Sequence, residues 1–158
     1  MRNVVPVALL TFGAIASIDA AHASESLGEW VTQGHSAHVR IERCPNATDR
    51  FCGTITWLWE PLDVRGAPIL DAWNPDRRLR SRPVLGLQLL QGFRESSGGL
   101  MSDGRIYNPE NGRTYEATLR LRAPDVLEVK GCVLFLCETQ VWRRVEAVCA
   151  KPIGLRPE

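Results

Sequence analysis

From residue 28 onward the chain alternates apolar and polar residues one for one in short runs, and this period of two constrains the fold more than any other feature. Successive side chains of a strand point to opposite faces, so each run reads as a strand with one buried and one wet face. Between Arg113 and Arg122, Tyr115, Ala117, Leu119 and Leu121 share one face, and Glu116, Thr118, Arg120 and Arg122 share the other. Ala37, Val39 and Ile41 alternate with His38, Arg40 and Glu42; Ile55, Trp57 and Trp59 alternate with Thr54, Thr56 and the less polar Leu58. Leu85, Leu87 and Leu89 alternate with Gly86 and Gln88, and Leu127 and Val129 with Glu128 and Lys130. Adding residues 28–32, 105–107 and 139–146 gives about eight strands.

Turn chemistry separates the runs: Gln33-Gly34, Asn108-Pro109-Glu110-Asn111-Gly112, Ala123-Pro124-Asp125 and the pair Gly98-Gly99. Short connections predict an all-β antiparallel meander. A meander of this size closes into a barrel that is either packed with side chains or holds one small ligand. Residues 60–83 break the pattern. Within them Asn74-Pro75-Asp76-Arg77-Arg78-Leu79 offers an N-cap, a proline at the first helical position and an early carboxylate, which predicts a short helix over 74–81 ended before Pro83. Neither flank is large enough to bury a core alone, so this segment is expected to be an insertion over one end of the barrel rather than an interdomain linker.

The first 23 residues have the form of a cleavable export signal: Arg2, an apolar run from Val4 to Ile18 and the small-x-small site Ala21-His22-Ala23. The run is interrupted by Thr11 and Ser17 and falls short of the roughly 20 apolar residues that span a bilayer. Residues 24–158 are then expected to form a single β-barrel domain without a transmembrane segment, periplasmic or secreted. All five cysteines follow the expected cleavage site, in a chain bound for an oxidising compartment where bridges persist. Cys44 with Cys52 and Cys132 with Cys137 each flank a short turn-like stretch and are the expected pairs; Cys149 is left over. The formal net charge of +1 gives no general argument for nucleic acid or for an acidic partner.

Two resemblances cover nearly all of residues 24–158. Gly28-Glu29-Trp30 in the first strand and Trp142-Arg143-Arg144 in the last resemble the calycin superfamily, which includes lipocalins and fatty-acid-binding proteins. The resemblance implies a tryptophan packed at the closed end of the barrel beneath an arginine from the final strand, with Gly28, Trp30, Trp142 and Arg143 as the signature. The chain also resembles a bacterial exported family known as domain of unknown function twenty-one forty-seven. The residues that carry this are Gly28-Glu29-Trp30, Cys52-Gly53-Thr54-Ile55, Gly66-Ala67-Pro68, Asp71, Asn74-Pro75, Arg82-Pro83-Val84-Leu85-Gly86, Gly104-Arg105-Ile106-Tyr107-Asn108-Pro109, Gly112-Arg113-Thr114-Tyr115 and Trp142-Arg143-Arg144. Leu100-Met101 departs from it, since the family tends to carry a tryptophan before the Gly104 strand. The implied protein is a bacterial envelope protein with a lipocalin-like barrel and no established activity.

Few residues invite catalysis or metal binding. His35 and His38 form an H-x-x-H, but odd spacing on a strand sends them to opposite faces, and no carboxylate or cysteine stands at ligand spacing. The cysteine spacings C-x7-C and C-x4-C suit disulfides better than zinc, and there is no C-x-x-C pair. No nucleophile elbow accompanies a plausible base, and Asp63, Asp71 and Asp76 lie among arginines that explain them by pairing. No catalytic residue, metal or cofactor is therefore assigned. Arg77, Arg78, Arg80 and Arg82 either grip an anionic head group or pair locally on a solvated face. Trp57, Trp59, Tyr107 and Tyr115, with Leu87 and Leu89, either line a cavity or fill the core. The leading expectation is a non-enzymatic envelope protein whose barrel binds a small apolar or amphipathic ligand, with the arginine loop near its mouth. The alternative is an interaction module that recognises another envelope protein through residues 71–82 and has a solid core.

Overall fold

The structure, a computed structural model, describes residues 25–146. The predicted export segment and Cys149 lie outside the described residues. Eight strands are present among them: β1 (Gly28–Val31), β2 (Ala37–Cys44), β3 (Ala47–Leu58), β4 (Gln88–Ser96), β5 (Leu100–Asn108), β6 (Arg113–Ala123), β7 (Val126–Val133) and β8 (Leu136–Arg144). Each pairs antiparallel with the next, and β8 returns to β1, so the sheet is a closed barrel. The period-two runs thus become the walls of a meander, apolar faces inward.

The connections β2–β3, β4–β5 and β6–β7 lie at one end, and those after β1, β3, β5 and β7 at the other. The first end is solid. Trp30, Ile41, Phe51, Phe93, Met101, Leu119, Leu127 and Trp142 are almost fully buried there, each worth about 1.5–3 kcal/mol of apolar burial. Two glycines let these side chains lie against bare backbone. A Cβ at Gly104 would sit 2.3 Å from the Phe93 ring, and one at Gly53 would sit 2.7 Å from Leu90 Cδ1.

The seam between β1 and β8 is short, with Trp30 opposite Arg144 and Val31 opposite Arg143. The Arg144 guanidinium lies 4.4 Å from the centre of the Trp30 ring. It also donates to three backbone oxygens: Pro124 at 2.8 Å, Leu27 at 2.9 Å, and Glu25. Trp30 Nε1 donates to the Ser26 oxygen at 3.0 Å, so the indole leaves no polar atom unpaired. Gly28 makes the approach possible, because a Cβ there would lie 2.7 Å from Arg144 Nη1, and its φ of 118° suits glycine. The arginine of the signature is therefore Arg144 and not Arg143. Alternation puts Arg144 on the buried face with Trp142, while Arg143 points outward, 3.7 Å from Asp125.

Both expected disulfides form. Cys44–Cys52 ties β2 to β3 near the solid end, and Cys132–Cys137 ties β7 to β8 at the other. Closing loops this small contributes about 2–3 kcal/mol each on the chain-entropy view. The helix predicted over 74–81 is only a 3-10 turn, Arg77–Leu79. Its N-cap is Asp76, whose carboxylate accepts from Arg78 N at 3.0 Å, while Asn74 Oδ1 accepts from Asp76 N at 2.9 Å. The turn stops because the chain is recruited into tertiary bonds: Val84 N donates to the Ile69 oxygen, and Leu70 bridges to Pro83.

Replacing Arg144 by alanine is expected to lower stability by about 2–3 kcal/mol through loss of the cation-π contact and the carbonyl bonds. Arg143→Ala is expected to stay within about 0.5 kcal/mol. Urea denaturation of the two variants checks the assignment.

Candidate functional site

At the end opposite Trp30 and Arg144 the barrel is hollow. Inward residues of five strands, Ile55, Leu89, Ile106, Tyr115, Val129 and Gly131, line a cavity of about 1200 Å³ with Trp142 as its floor. Strand pairing explains the lining, since Ile106 stands opposite Tyr115 and residues that face each other across a ladder share a face. Gly131 keeps the space open: a Cβ there would lie 3.4 Å from Ile106 Cγ2 and 3.7 Å from Tyr115 Cβ, so a larger side chain would project into the lumen. The mouth is formed by the turn after β1, the β5–β6 turn, the β7–β8 tip and the long excursion between β3 and β4, which contributes Trp59, Ile69, Leu70, Trp73 and Val84.

Polar groups enter this apolar wall from β8. Glu138 and Gln140 share a face with Trp142, pair with Gly131 and Val129, and line the cavity. Trp142 Nε1 donates to Gln140 Oε1 at 3.0 Å, and Gln140 Nε2 lies 3.4 Å from Glu138 Oε1. The Tyr115 hydroxyl accepts from Asn111 Nδ2 at 2.8 Å. Sequence reasoning passed over Glu138 and Gln140. The signal that could have found them is their spacing of four and two residues before an inward tryptophan.

Of the residues expected to touch a ligand, the cavity gathers Trp59, Leu89 and Tyr115. Trp57 faces outward instead, its ring 4.5 Å from that of His38. The reason is a bulge: Val39 pairs with Ile55 but His38 with Trp57, so Thr56 is an extra residue and the alternation of β3 changes phase. Leu87 is buried in the core and does not line the cavity, its carbonyl accepting from Ile55 N at 2.9 Å. Tyr107 pairs with Thr114, on the face opposite Ile106 and Tyr115, and is covered by the excursion.

There Tyr107 joins a buried polar cluster. Asp71, fully buried, accepts from the Tyr107 hydroxyl at 2.5 Å, from Asn74 Nδ2 at 2.7 Å, and from Arg82 Nε at 2.9 Å and Nη2 at 2.8 Å. A buried carboxylate met by three donor groups is a fastening, since removing one partner of such a pair costs about 3–5 kcal/mol. It pins the excursion to β5. The other arginines are occupied locally or exposed: Arg78 pairs with Asp76 at 2.8 Å, Arg80 Nε donates to the Asn74 oxygen at 2.7 Å, and Arg77 is exposed. None of Arg77, Arg78, Arg80 and Arg82 lines the cavity.

With this geometry the sequence matches, over residues 28–144, the family described as "uncharacterized protein conserved in bacteria (DUF2147)". The chain belongs to this family. Its fold is similar to that of a solved Helicobacter pylori protein, HP1028, described as belonging to the lipocalin family: 20% identity over 82% of this chain and 92% of that one, with a TM-score of 0.63. At that identity the likeness is one of fold, a lipocalin-like barrel. No curated protein matches the sequence.

Several residues that carry the DUF2147 resemblance serve to hold the mouth in shape. Asp71, Asn74 and Tyr107 form the fastening described above. Gly112, with φ of 68°, lies so close to the excursion that a Cβ would fall 1.9 Å from the Trp73 carbonyl oxygen. Excursion and β5–β6 turn therefore meet backbone to backbone, and no other residue fits there.

Burial, and secondarily the bond to Asp71, pushes the Tyr107 phenol up to about 12 from its ordinary 10.0. A pKa raised by folding gives a stabilisation that is complete below pH 10.0 and is lost as pH rises through about 12. Phenolate absorbance is expected to show one tyrosine ionising near that upper value and to lose the transition in Tyr107→Phe. The stability difference between the two proteins should narrow over the same interval.

Proposed function

We propose that this DUF2147 protein is a non-enzymatic, extracytoplasmic binder of one small apolar or amphipathic molecule held in the hollow half of the barrel. The observation that carries the reading is the cavity itself, of about 1200 Å³, somewhat above the roughly 300–1,000 Å³ usual for small-molecule sites. Its deep wall, made by Ile55, Leu89, Ile106, Val129 and Trp142, is apolar and suits a hydrocarbon or ring system. Tyr115, Gln140 and Glu138 offer hydrogen-bonding groups for a polar end. The two disulfides accord with an oxidising compartment, and no helix of the described residues is long and apolar enough to cross a membrane.

The cavity favours this reading over recognition of a protein through residues 71–82, which was paired with a solid core. It also moves the polar contacts away from Arg77, Arg78, Arg80 and Arg82, which do not line the cavity, and onto β8.

Filling the lumen provides the test. Native mass spectrometry of the purified chain is expected to show a bound small molecule, or a mass shift with added fatty acid. Gly131→Leu, which projects a side chain into the lumen beside Ile106 and Tyr115, should weaken it while leaving the circular dichroism unchanged. Bare wild-type protein whose melting temperature no lipid or fatty acid moves would contradict the proposal.

A further inference from the structure

The longest run of consecutive exposed apolar side chains among the described residues, Val133 to Leu136, is the tip of the β7–β8 hairpin. Leu134 is 90% exposed, Phe135 86% and Leu136 69%. From Cys132 to Cys137 there is no charged residue, and the disulfide between those two cysteines keeps the loop from opening. Val133 pairs with Leu136, so Leu134 and Phe135 form a two-residue turn. Leu134 occupies its first position with φ of 53°, where hairpins ordinarily place glycine or asparagine. Here a leucine holds a left-handed conformation that strains side-chain-bearing residues and presents its side chain to solvent. Across the mouth, Trp59 and Trp73 are 70% and 69% exposed. No water-facing role accounts for a bulky apolar turn on the same rim as two exposed indoles.

We propose that the open end docks on the surface of a lipid bilayer, the stapled tip entering the acyl region and Trp59 and Trp73 resting at the interface. Three observations select a bilayer among possible partners. The tip is convex and charge-free, the form that enters hydrocarbon, and tryptophan favours the boundary between lipid and water. Val133 and Leu136 belong both to the tip and to the cavity lining, so the apolar tip adjoins the mouth of the lumen, and an apolar molecule leaving the bilayer would meet the cavity at that point. The charges of the excursion nearly cancel: Glu60, Asp63, Asp71 and Asp76 stand against Arg65, Arg77, Arg78, Arg80 and Arg82. Docking is therefore driven by apolar burial and needs no anionic lipid. The passage of a ligand rests on the function proposed above; the docking does not.

The test is flotation of the purified chain with phosphatidylcholine vesicles, in low and in high salt. Wild type is expected to float in both. The double variant Leu134→Asp/Phe135→Asp should partition about 100-fold less, since each aspartate opposes insertion strongly, and the milder Phe135→Gln should fall between. All three should melt alike, because these side chains support no core. Gly131→Leu should float like wild type, which separates failure of docking from failure of ligand binding. Wild type that stays in solution, a double variant that floats equally well, or binding that requires anionic lipid and vanishes in high salt would overturn the proposal. So would a dimer in light scattering that the double variant dissolves, for the tip would then be covered by a second copy.

Discussion

The barrel closes across two residue pairs, Trp30 with Arg144 and Val31 with Arg143, and the guanidinium of Arg144 on the Trp30 ring is what holds that closure. An eight-stranded meander without this seam would be an open sheet with two exposed edges. Arg144 also gathers the residues before β1 and the β6–β7 turn through their backbone oxygens, so one side chain fastens the entry to the barrel, the last strand and a hairpin turn together. Gly28 exists to admit it.

Once one end is locked, the other is free to be hollow. Phe93 against Gly104 and Leu90 against Gly53 concentrate large side chains in the solid half. In the other half Gly131 faces inward with nothing to fill the space, and Tyr115, Gln140 and Glu138 bring polar groups into an apolar wall. The excursion between β3 and β4 is not slack chain lying over this opening. Asp71, bonded to Tyr107, Asn74 and Arg82, and Gly112 pressed against Trp73 fix it as part of the rim. The cavity thus has a shape set by buried hydrogen bonds, and a preformed site loses little in ordering when a ligand enters.

Much of this was legible in the chain. Alternation in 113–122, 37–42 and 127–130 gave strand, facing and meander at once, and the turn residues gave the short connections. The cysteine pairs followed from their placement at hairpins. What failed did so for local reasons. Trp57 was assigned inward because alternation was carried straight through Thr56, and nothing in the residue types announces the bulge that reverses it. Residue type leaves Tyr107 as either cavity lining or core filler, since no local signal shows the excursion folding over the outer side of β5. Arg143 was chosen over Arg144 although counting by two from Trp142 selects the latter. The helix around 74–81 shrank to one turn because Arg82 and Val84 are claimed by tertiary bonds that a local pattern does not contain. The cavity itself was the least legible feature, since inward residues read alike whether they meet in the middle or leave a gap.

Division of the barrel into a solid half that carries the stability and a hollow half free to take a guest is the claim on which the account stands. Residue-resolved amide hydrogen exchange measures that division directly, because the slowest amides report the last structure to open. The account predicts that the hydrogen-bonded amides around Trp30, Ile41, Leu127 and Trp142 exchange only on global unfolding, and that those near Val133, Leu136 and Leu58 exchange orders of magnitude faster. Equal protection along the strands, or slowest exchange at the mouth, would contradict it.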